Sequence, residues 1–263
     1  MKRPLKIVLS LISAVAAVVC VLCILFLVQY FRGQALNERL SSSVLTGIIT
    51  NPMADPEDET RYMQIDVDFN ELQAMNPDIY AWVEVPGTVI NYPVLQDAED
   101  DLFYINHNAD RSYYTGGSIF SQRYNSKTFQ DSVTVLYGHN SRSQAMFAQV
   151  NNFADAAYFD ANRYIYIYTP DTVYQYEIFA AYPHVSDHLL LCNDFDDLEE
   201  FDAYFAGLTD SPNANYRREL FPSYGDKVLT LSTCYRQNRM QRFLLQGVLT
   251  EEYTVLKSED AHG

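Results

Sequence analysis

A cysteine, a histidine and an arginine each lie at one end of an apolar run that is typical of a β-strand. Cys234 ends the run that begins at Lys227, and the alternation of side chains along a strand places its thiol on the more polar face. His139 follows the run from Val133, and Arg242 opens the run after the cysteine. If these last two strands pair as a hairpin, Arg242 lies near Cys234 across the ladder. The three side chains predict a nucleophile, a proton carrier and an oxyanion donor.

Other residues of the same types compete for these roles. Arg236 and Arg239 also follow Cys234, but they fall in the predicted loop before the next strand, and we rank them below Arg242. Three further histidines are predicted to lie in loops with no strand before them: His107, His184 and His188. The spacing of the last two could hold a metal on a helix, yet no third ligand is evident. The sequence therefore predicts no metal site.

The remaining cysteines leave the redox state of the nucleophile open. Cys192 and Cys234 are the only cysteines of the body, too few for a disulfide framework. Either they pair with each other, or at least one is kept as a thiol for its chemistry. Cys20 and Cys23 form a C-x-x-C inside an apolar segment, where redox or metal chemistry lacks the polar surroundings it needs. We interpret them as lipid-facing or helix-packing residues.

The N-terminal segment predicts a membrane anchor. Between Ile7 and Val28 the only polar side chains are Ser10 and Ser13. A helix of this length, at about 1.5 Å per residue, spans roughly 33 Å, which is enough for a bilayer core. The basic residues before this helix favour a cytoplasmic N-terminus, although Arg32 and Arg39 after it weaken the difference in charge between its two ends. A cleaved signal peptide is the alternative, but its apolar region has only about 7–15 residues.

The charge balance excludes a nucleic-acid-binding function. The chain of 263 residues has 34 acidic and 18 basic side chains, which gives a formal net charge of −16. Nucleic-acid binding takes most of its affinity from basic surface, which this chain lacks. Basic residues prevail only at the N-terminal end, as expected if the two ends of the chain lie in different surroundings.

The elements that must position the three side chains are predicted to be the strands of one barrel. About eight runs rich in Val, Ile, Tyr and Thr, separated by turn residues, predict a closed or nearly closed β-barrel. The candidate strands are Ala81–Val85, Val89–Tyr92, Ser118–Phe120, Val133–Tyr137, Tyr164–Tyr168, Val173–Tyr182, Lys227–Thr233 and Phe243–Thr250. Helices are predicted at Phe69–Met75, Ser143–Asn151 and Asp196–Leu208. The last begins with an Asp196/Glu199 capping-box pattern, and it lies in a long connection between two strands.

Several of these segments together resemble the sortases, the transpeptidases of Gram-positive surface proteins. Thr230-Leu-Ser-Thr-Cys234, followed by Arg242-Phe, is similar to the T-L-x-T-C…R signature of the family, and Tyr137-Gly-His-Asn140 resembles its histidine motif. The resemblance covers about residues 66–256. Further stretches are similar to class B: Asn76-Pro-Asp-Ile-Tyr-Ala-Trp82, Tyr92-Pro-Val-Leu-Gln96, Gly117-Ser-Ile-Phe120, Met146-Phe147 and the helix before the cysteine strand.

The resemblance implies a mainly β fold, an eight-stranded sortase-type barrel with peripheral helices behind one N-terminal transmembrane helix. It places the catalytic domain at residues 66–256. The charge and apolar pattern of the rest of the chain predict a cytoplasmic N-terminus (1–6), an anchor (7–31), an extracellular stalk (32–65) and a C-terminal tail (257–263). Cys234 is expected to attack a threonine carbonyl in the C-terminal sorting signal of a surface protein. An amine of the cell wall or of a pilin is expected to take the acyl group, without a cofactor.

The resemblance also implies roles for the neighbours of the cysteine. His139 is expected to exchange protons with the leaving and the incoming amine, and Arg242 to hold the substrate and the oxyanion. Ser232 and Thr233 are expected to line the site, and Tyr235 to help form it through its backbone.

Three alternatives remain from the residues alone. L,D-transpeptidases also use cysteine and histidine, but their cysteine normally follows a glycine, whereas Thr233 precedes Cys234 here. Papain-like wall peptidases place the cysteine before the histidine in the chain, and here His139 comes first. The third alternative is an inactive, membrane-tethered binding module with Asp196–Leu208 as its docking face.

Overall fold

Eight strands close into a barrel that holds the predicted site at one edge. The computed structural model describes residues 2–44, 50–54, 61–211, 213–238 and 240–256. The strands of these residues are β1 (Thr50–Ala54), β2 (Arg61–Gln64), β3 (Ile79–Glu84), β4 (Asn91–Leu95), β5 (Ile119–Phe120), β6 (Val133–Tyr137), β7 (Tyr164–Tyr168), β8 (Thr172–Val185), β9 (Asn215–Tyr216), β10 (Val228–Cys234) and β11 (Gln241–Val255). Their helices are α1 (Lys2–Val44), α2 (Phe69–Met75), α3 (Ala156–Ala161), α4 (Leu189–Cys192) and α5 (Leu198–Ala206). Four 3₁₀ segments are added: Phe103–Ile105, Ala148–Ala154, Gly207–Asp210 and Arg218–Leu220.

The strand order shows how the barrel closes. Neighbouring strands follow the order β11-β10-β6-β5-β4-β3-β7-β8, and β8 then pairs back with β11. The β10–β6 and β4–β5 pairs are parallel, and the other pairs of this ring are antiparallel. The pair β1–β2 extends the sheet from β11, and β9 extends it from β8. Each of the eight predicted strands overlaps one strand of the ring, so the predicted eight-stranded barrel is confirmed.

Both faces of the strand that carries the cysteine are buried. Leu229 and Leu231 point into the main core and are fully buried. On the opposite face, the hydroxyl of Thr230 accepts a hydrogen bond from Nε2 of Gln246 at 3.0 Å. The helix α5 contributes Phe201 to a second core that includes the start of β10. Because β10 is covered on both sides, the hydroxyl of Thr230 takes its partner from inside the protein.

The predicted helix Ser143–Asn151 is wrong in its position. A 3₁₀ segment occupies Ala148–Ala154 instead. Gln144 and Met146 have positive φ angles of 63° and 55°, which a right-handed helix does not allow. Met146 is buried, and its backbone N–H donates to the hydroxyl of Tyr92 at 3.2 Å. The chain therefore turns sharply here to place Met146 in the core.

The predicted start of the second helix is also wrong, by a small shift. The N-cap of α5 is Asp197, whose carboxylate accepts from the backbone N–H groups of Glu199 and Glu200. Asp196 instead accepts a hydrogen bond from the hydroxyl of Ser132 at 2.7 Å. The apolar residues of the predicted helix differ in burial, since Leu198 is 51% exposed whereas Phe201, Phe205 and Leu208 are buried.

The N-terminal helix is long and continuous. Within the described residues, α1 includes one segment that is long and apolar enough to cross a membrane, Val8–Ser41, and a stretch of 18 residues within it has a mean hydropathy of 3.2. Its C-terminal part contacts the barrel: the hydroxyl of Ser41 donates to the carbonyl of Asn91 at 2.8 Å, and Nδ2 of Asn108 donates to the carbonyl of Gly33 at 3.0 Å. The predicted stalk therefore begins as a helix against the barrel. Residues 45–49 and 55–60 of that stalk, and the predicted tail 257–263, lie outside the described residues.

Candidate active site

The hairpin of β10 and β11 brings Cys234 and Arg242 together. The antiparallel register pairs the two residues directly, and Nη1 of Arg242 donates a hydrogen bond to Sγ of Cys234 at 3.2 Å. The hairpin predicted from the sequence is therefore confirmed. The guanidinium therefore lies directly beside the sulfur, where it can also reach an oxygen of a bound substrate.

His139 reaches the same edge through the parallel pairing of β6 with β10. Tyr137 is the register partner of Ser232. His139 lies two residues after Tyr137, and Cys234 lies two residues after Ser232, so the parallel strands carry both residues to the same end. Nε2 of His139 lies 2.7 Å from the carbonyl oxygen of Ile105. Because a carbonyl only accepts hydrogen bonds, Nε2 must carry a proton, and Nδ1 is the nitrogen left to exchange one.

Two asparagines hold the end of the cysteine strand. Nδ2 of Asn140 and Nδ2 of Asn151 both donate to the carbonyl oxygen of Cys234, at 3.0 and 3.2 Å. Oδ1 of Asn151 also accepts from the backbone N–H of Arg236 at 2.7 Å. Asn140 follows the histidine directly, so this contact ties the histidine loop to the cysteine. Sequence reasoning assigned no role to either asparagine; only the position of Asn140 beside His139 was a signal.

The three residues predicted to line the site have different positions. Ser232 lines the cleft in front of the thiol. Thr233 is 1% exposed and lies on the opposite face of the strand, and it lines neither of the two clefts described below. The ring of Tyr235 is stacked on Phe243, and its backbone N–H donates to the carbonyl of Gln241 at 3.0 Å. That N–H is therefore already paired and is not free to bind an oxyanion here.

A first cleft of about 450 Å³ opens on one side of the thiol. Cys234, His139 and Arg242 line it, together with apolar side chains such as Leu102, Phe120, Val135, Leu189 and Leu244. Its far wall has polar groups: Nε2 of His184 lies 3.0 Å from Oδ1 of Asp187, and Nε2 of His188 lies 2.7 Å from Oε1 of Gln122. A mainly apolar cleft with a few fixed polar groups is suited to an extended peptide.

The other histidines considered as proton carriers have different positions: His184 and His188 line the first cleft, and His107 does not. His184 lies inside β8, so its predicted place in a loop is wrong. His107 stacks on Phe103 with ring centroids 3.9 Å apart. No group of three or more metal-ligating side chains occurs among the described residues.

A second cleft of about 540 Å³ also borders the thiol. Cys234 and His139 line both clefts, so the two spaces meet at this pair. The second cleft adds polar and basic side chains, among them Asn140, Arg142 and Arg236. The other rival arginine, Arg239, lies outside the described residues.

Tyr137 is an uncharged aromatic residue beside Arg242. Tyr137 lines the first cleft, and burial raises the pKa of its hydroxyl to about 12, while the charge of Arg242 opposes this rise. The hydroxyl is therefore protonated at neutral pH. It leaves the guanidinium of Arg242 as the charged group beside the sulfur.

The structure also answers the question of the cysteines. All four cysteines are free thiols, so Cys192 is not bonded to Cys234. Cys192 is exposed at the end of α4. It lines a separate, polar surface depression and neither of the two clefts beside Cys234.

Comparison with known proteins points to one family. The sequence model of the sortase domain matches residues 83–250. Sortase B of Listeria monocytogenes serovar 1/2a (strain ATCC BAA-679 / EGD-e) is 30% identical over 202 residues, which cover 76% of this chain and 77% of that protein.

Solved structures agree with this match. The X-ray structure of Clostridium perfringens sortase B has a TM-score of 0.63 and 30% identity, over 70% of this chain and all of that one. The crystal structure of a Streptococcus pyogenes class B sortase involved in pilus biogenesis has a TM-score of 0.61 and 28% identity, over 70% of this chain and 98% of that one.

Proposed function

This chain belongs to the sortase family, as a cysteine transpeptidase of class B, and we propose that Cys234, His139 and Arg242 carry out its reaction. The observation that supports this assignment best is the hydrogen bond from Arg242 to the sulfur of Cys234 at the point where two clefts meet. Two clefts that both border the nucleophile can receive two different substrates in turn.

In the first step, the thiolate of Cys234 attacks the carbonyl carbon of a threonine in a C-terminal sorting signal. The negative charge that develops on the carbonyl oxygen is stabilised by the guanidinium of Arg242, which lies beside the sulfur. Protonated His139 gives its proton from Nδ1 to the leaving amine. The C–N bond breaks, the C-terminal remainder leaves, and a thioester to Cys234 remains.

In the second step, an amine of the cell wall or of a pilin takes the acyl group from the thioester. Surface proteins with a sorting signal are the proposed donors, and the apolar first cleft suits the extended signal. The proposed catalytic unit is residues 66–256. Its reaction needs no cofactor, since the thiol and the imidazole supply the nucleophile and the proton transfer.

We also propose that residues 7–31 anchor the enzyme in the cell membrane, with the N-terminus in the cytoplasm and the catalytic domain outside. The length and hydropathy of α1 support an anchor. The basic residues before the apolar run support this orientation. Such an orientation places the thiol on the side of the membrane where surface proteins arrive.

A peptide assay tests the proposed reaction. The full-length protein in detergent is incubated with a panel of sorting-signal peptides, with and without candidate amines, and products are identified by mass spectrometry. We expect cleavage after threonine and a new amide when an amine is present. Peptides that stay intact with every signal tested, in a folded protein, would contradict the proposal.

A further inference from the structure

The second cleft has a charge that contrasts with the rest of the protein. The chain has a net charge of −16. The lining of this cleft nevertheless includes Arg142 and Arg236 and no aspartate or glutamate. Beside the sulfur there is thus a basic space without acidic side chains, distinct from the apolar first cleft.

The two arginines are not neutralised by carboxylates. Arg142 is exposed and forms no ion pair among the residues that the structure describes. Arg236 donates to neutral oxygens: the carbonyl of Ala148 at 3.0 Å, Oδ1 of Asn152 at 3.3 Å and Oε1 of Gln144 at 3.4 Å. These contacts hold the guanidinium in place while its charge stays unpaired. A fixed guanidinium and a free one at the same cleft are suited to an anion.

We propose that the second cleft binds the acceptor amine and that Arg142 and Arg236 recognise a carboxylate on the same molecule. This inference rests on the proposed function and narrows its acceptor class to small amines with a carboxylate near the amino group, as in an amino acid or a short peptide. The side chain of a pilin lysine has no carboxylate of its own close to the amine.

The position of the cleft fits the chemistry of the second step. The amine nitrogen attacks the thioester carbonyl from the second cleft, where His139 lines the wall. An amide bond forms, the C–S bond breaks, and its electron pair returns to Sγ of Cys234. The proton of the amine passes to Nδ1 of His139. The thiolate and the imidazolium are thereby restored.

Matched acceptors test the proposal. The full-length enzyme in detergent receives a cleavable sorting-signal peptide and either glycine or glycinamide, and in a second pair either glycylglycine or glycylglycinamide. The ratio of kcat/KM for acid over amide is compared between the parent enzyme and Arg142→Gln, because this comparison cancels the intrinsic reactivity of each amine.

We expect Arg142→Gln to lower that ratio about tenfold or more in at least one pair, as for the loss of a hydrogen bond to a charged group. Arg142→Lys should restore part of it. Arg218→Gln is the matched control, since it removes the same charge at an exposed position that lines neither cleft. It should leave the ratio unchanged.

Two results would overturn the inference. One is a ratio that Arg142→Gln leaves unchanged in both pairs. The other is a higher kcat/KM for a lysine derivative with blocked backbone amino and carboxyl groups than for glycine or glycylglycine. Peptide cleavage without a carboxylate preference would reject the inference alone, whereas absence of cleavage would reject the proposed function as well.

Discussion

Arg242 donates a hydrogen bond to the sulfur of Cys234 and is the register partner of that residue on β11. On its other side, the same arginine is the register partner of His184 on β8. The strand that carries the guanidinium is thus held between two neighbours. The arginine is positioned before any substrate arrives, which is what a stabiliser of a transient charge requires.

The first prediction concerns the geometry of this guanidinium. Arg242→Lys keeps the charge but loses the planar fork that can bind the sulfur and a substrate oxygen together. We expect the turnover of a sorting-signal peptide to fall by about 10²–10³, as for the loss of one oxyanion donor. Arg218→Lys, at an exposed position outside both clefts, should stay close to the parent rate. A turnover of Arg242→Lys close to that of the parent would contradict a role for the guanidinium in the reaction.

The second prediction concerns the amide that holds the cysteine carbonyl. Asn151 is 6% exposed and bonds both the carbonyl of Cys234 and the N–H of Arg236. Asn151→Ala should lower the free energy of unfolding by about 1–3 kcal/mol, because buried polar groups lose their partner. It should also lower turnover, because the strand end can shift.

The control for this prediction is the next residue. Oδ1 of Asn152 accepts only a 3.3 Å contact from the exposed Arg236, so Asn152→Ala should change the free energy of unfolding by less than about 0.5 kcal/mol. The fluorescence of Trp82, which is the only tryptophan and is fully buried, reports unfolding in urea. Equal losses in the two variants would contradict the assigned role of Asn151.

The third prediction concerns a buried carboxyl in the barrel. Burial raises the pKa of Glu84 above its ordinary value, and a 2.6 Å hydrogen bond from the hydroxyl of Tyr168 opposes the rise. At pH values between the unfolded and the folded pKa of Glu84, the folded protein therefore keeps a proton that the unfolded chain releases. The stabilisation that comes from this proton is present below the unfolded pKa and is lost as the pH rises through the folded pKa.

Glu84→Gln keeps an acceptor for Tyr168 and cannot ionise. We expect the variant to be more stable than the parent at about pH 7 and to have no such advantage below about pH 4. Urea unfolding at a series of pH values measures the difference. Glu99→Gln changes an exposed carboxyl and should show no such trend. A parent that is the more stable protein at neutral pH would refute the argument.

The fourth prediction concerns the orientation in the membrane. If α1 is an uncleaved anchor with its N-terminus inside, protease added to intact protoplasts should digest the catalytic domain and leave only the anchor fragment. The mature protein should still begin before Val28. A protected domain, or a mature N-terminus beyond Val28, would contradict the orientation or the anchor.

Local pattern was enough to predict the strand ends that carry the three side chains. The alternation in β10 and the short gap before β11 determine that Arg242 meets Cys234, because a hairpin joins residues that are close in sequence. The position of His139 could be predicted from the end of the apolar run that precedes it. The sortase resemblance then implied that the predicted strands form one eight-stranded barrel, and the order of the strands came only from the structure.

Long-range contacts explain what the sequence did not reveal. Asn151 meets the cysteine carbonyl across 83 residues of chain, and no local pattern marks that contact. Asp196 is a residue type that often caps a helix, but its carboxylate accepts a hydrogen bond from Ser132, 64 residues away. The N-cap of α5 is therefore Asp197. His184 lies in a strand because β8 stays paired with β11 as far as Val185.

The most direct test of the account is the mass of the acyl-enzyme. The full-length protein is mixed with a sorting-signal peptide, quenched in acid and digested, and the adduct is located by mass spectrometry. We predict a thioester on Cys234 in the parent and in Cys192→Ala, and no adduct and no cleavage in Cys234→Ala. An adduct on Cys192, or peptide cleavage that survives in Cys234→Ala, would contradict the assignment of Cys234 as the nucleophile.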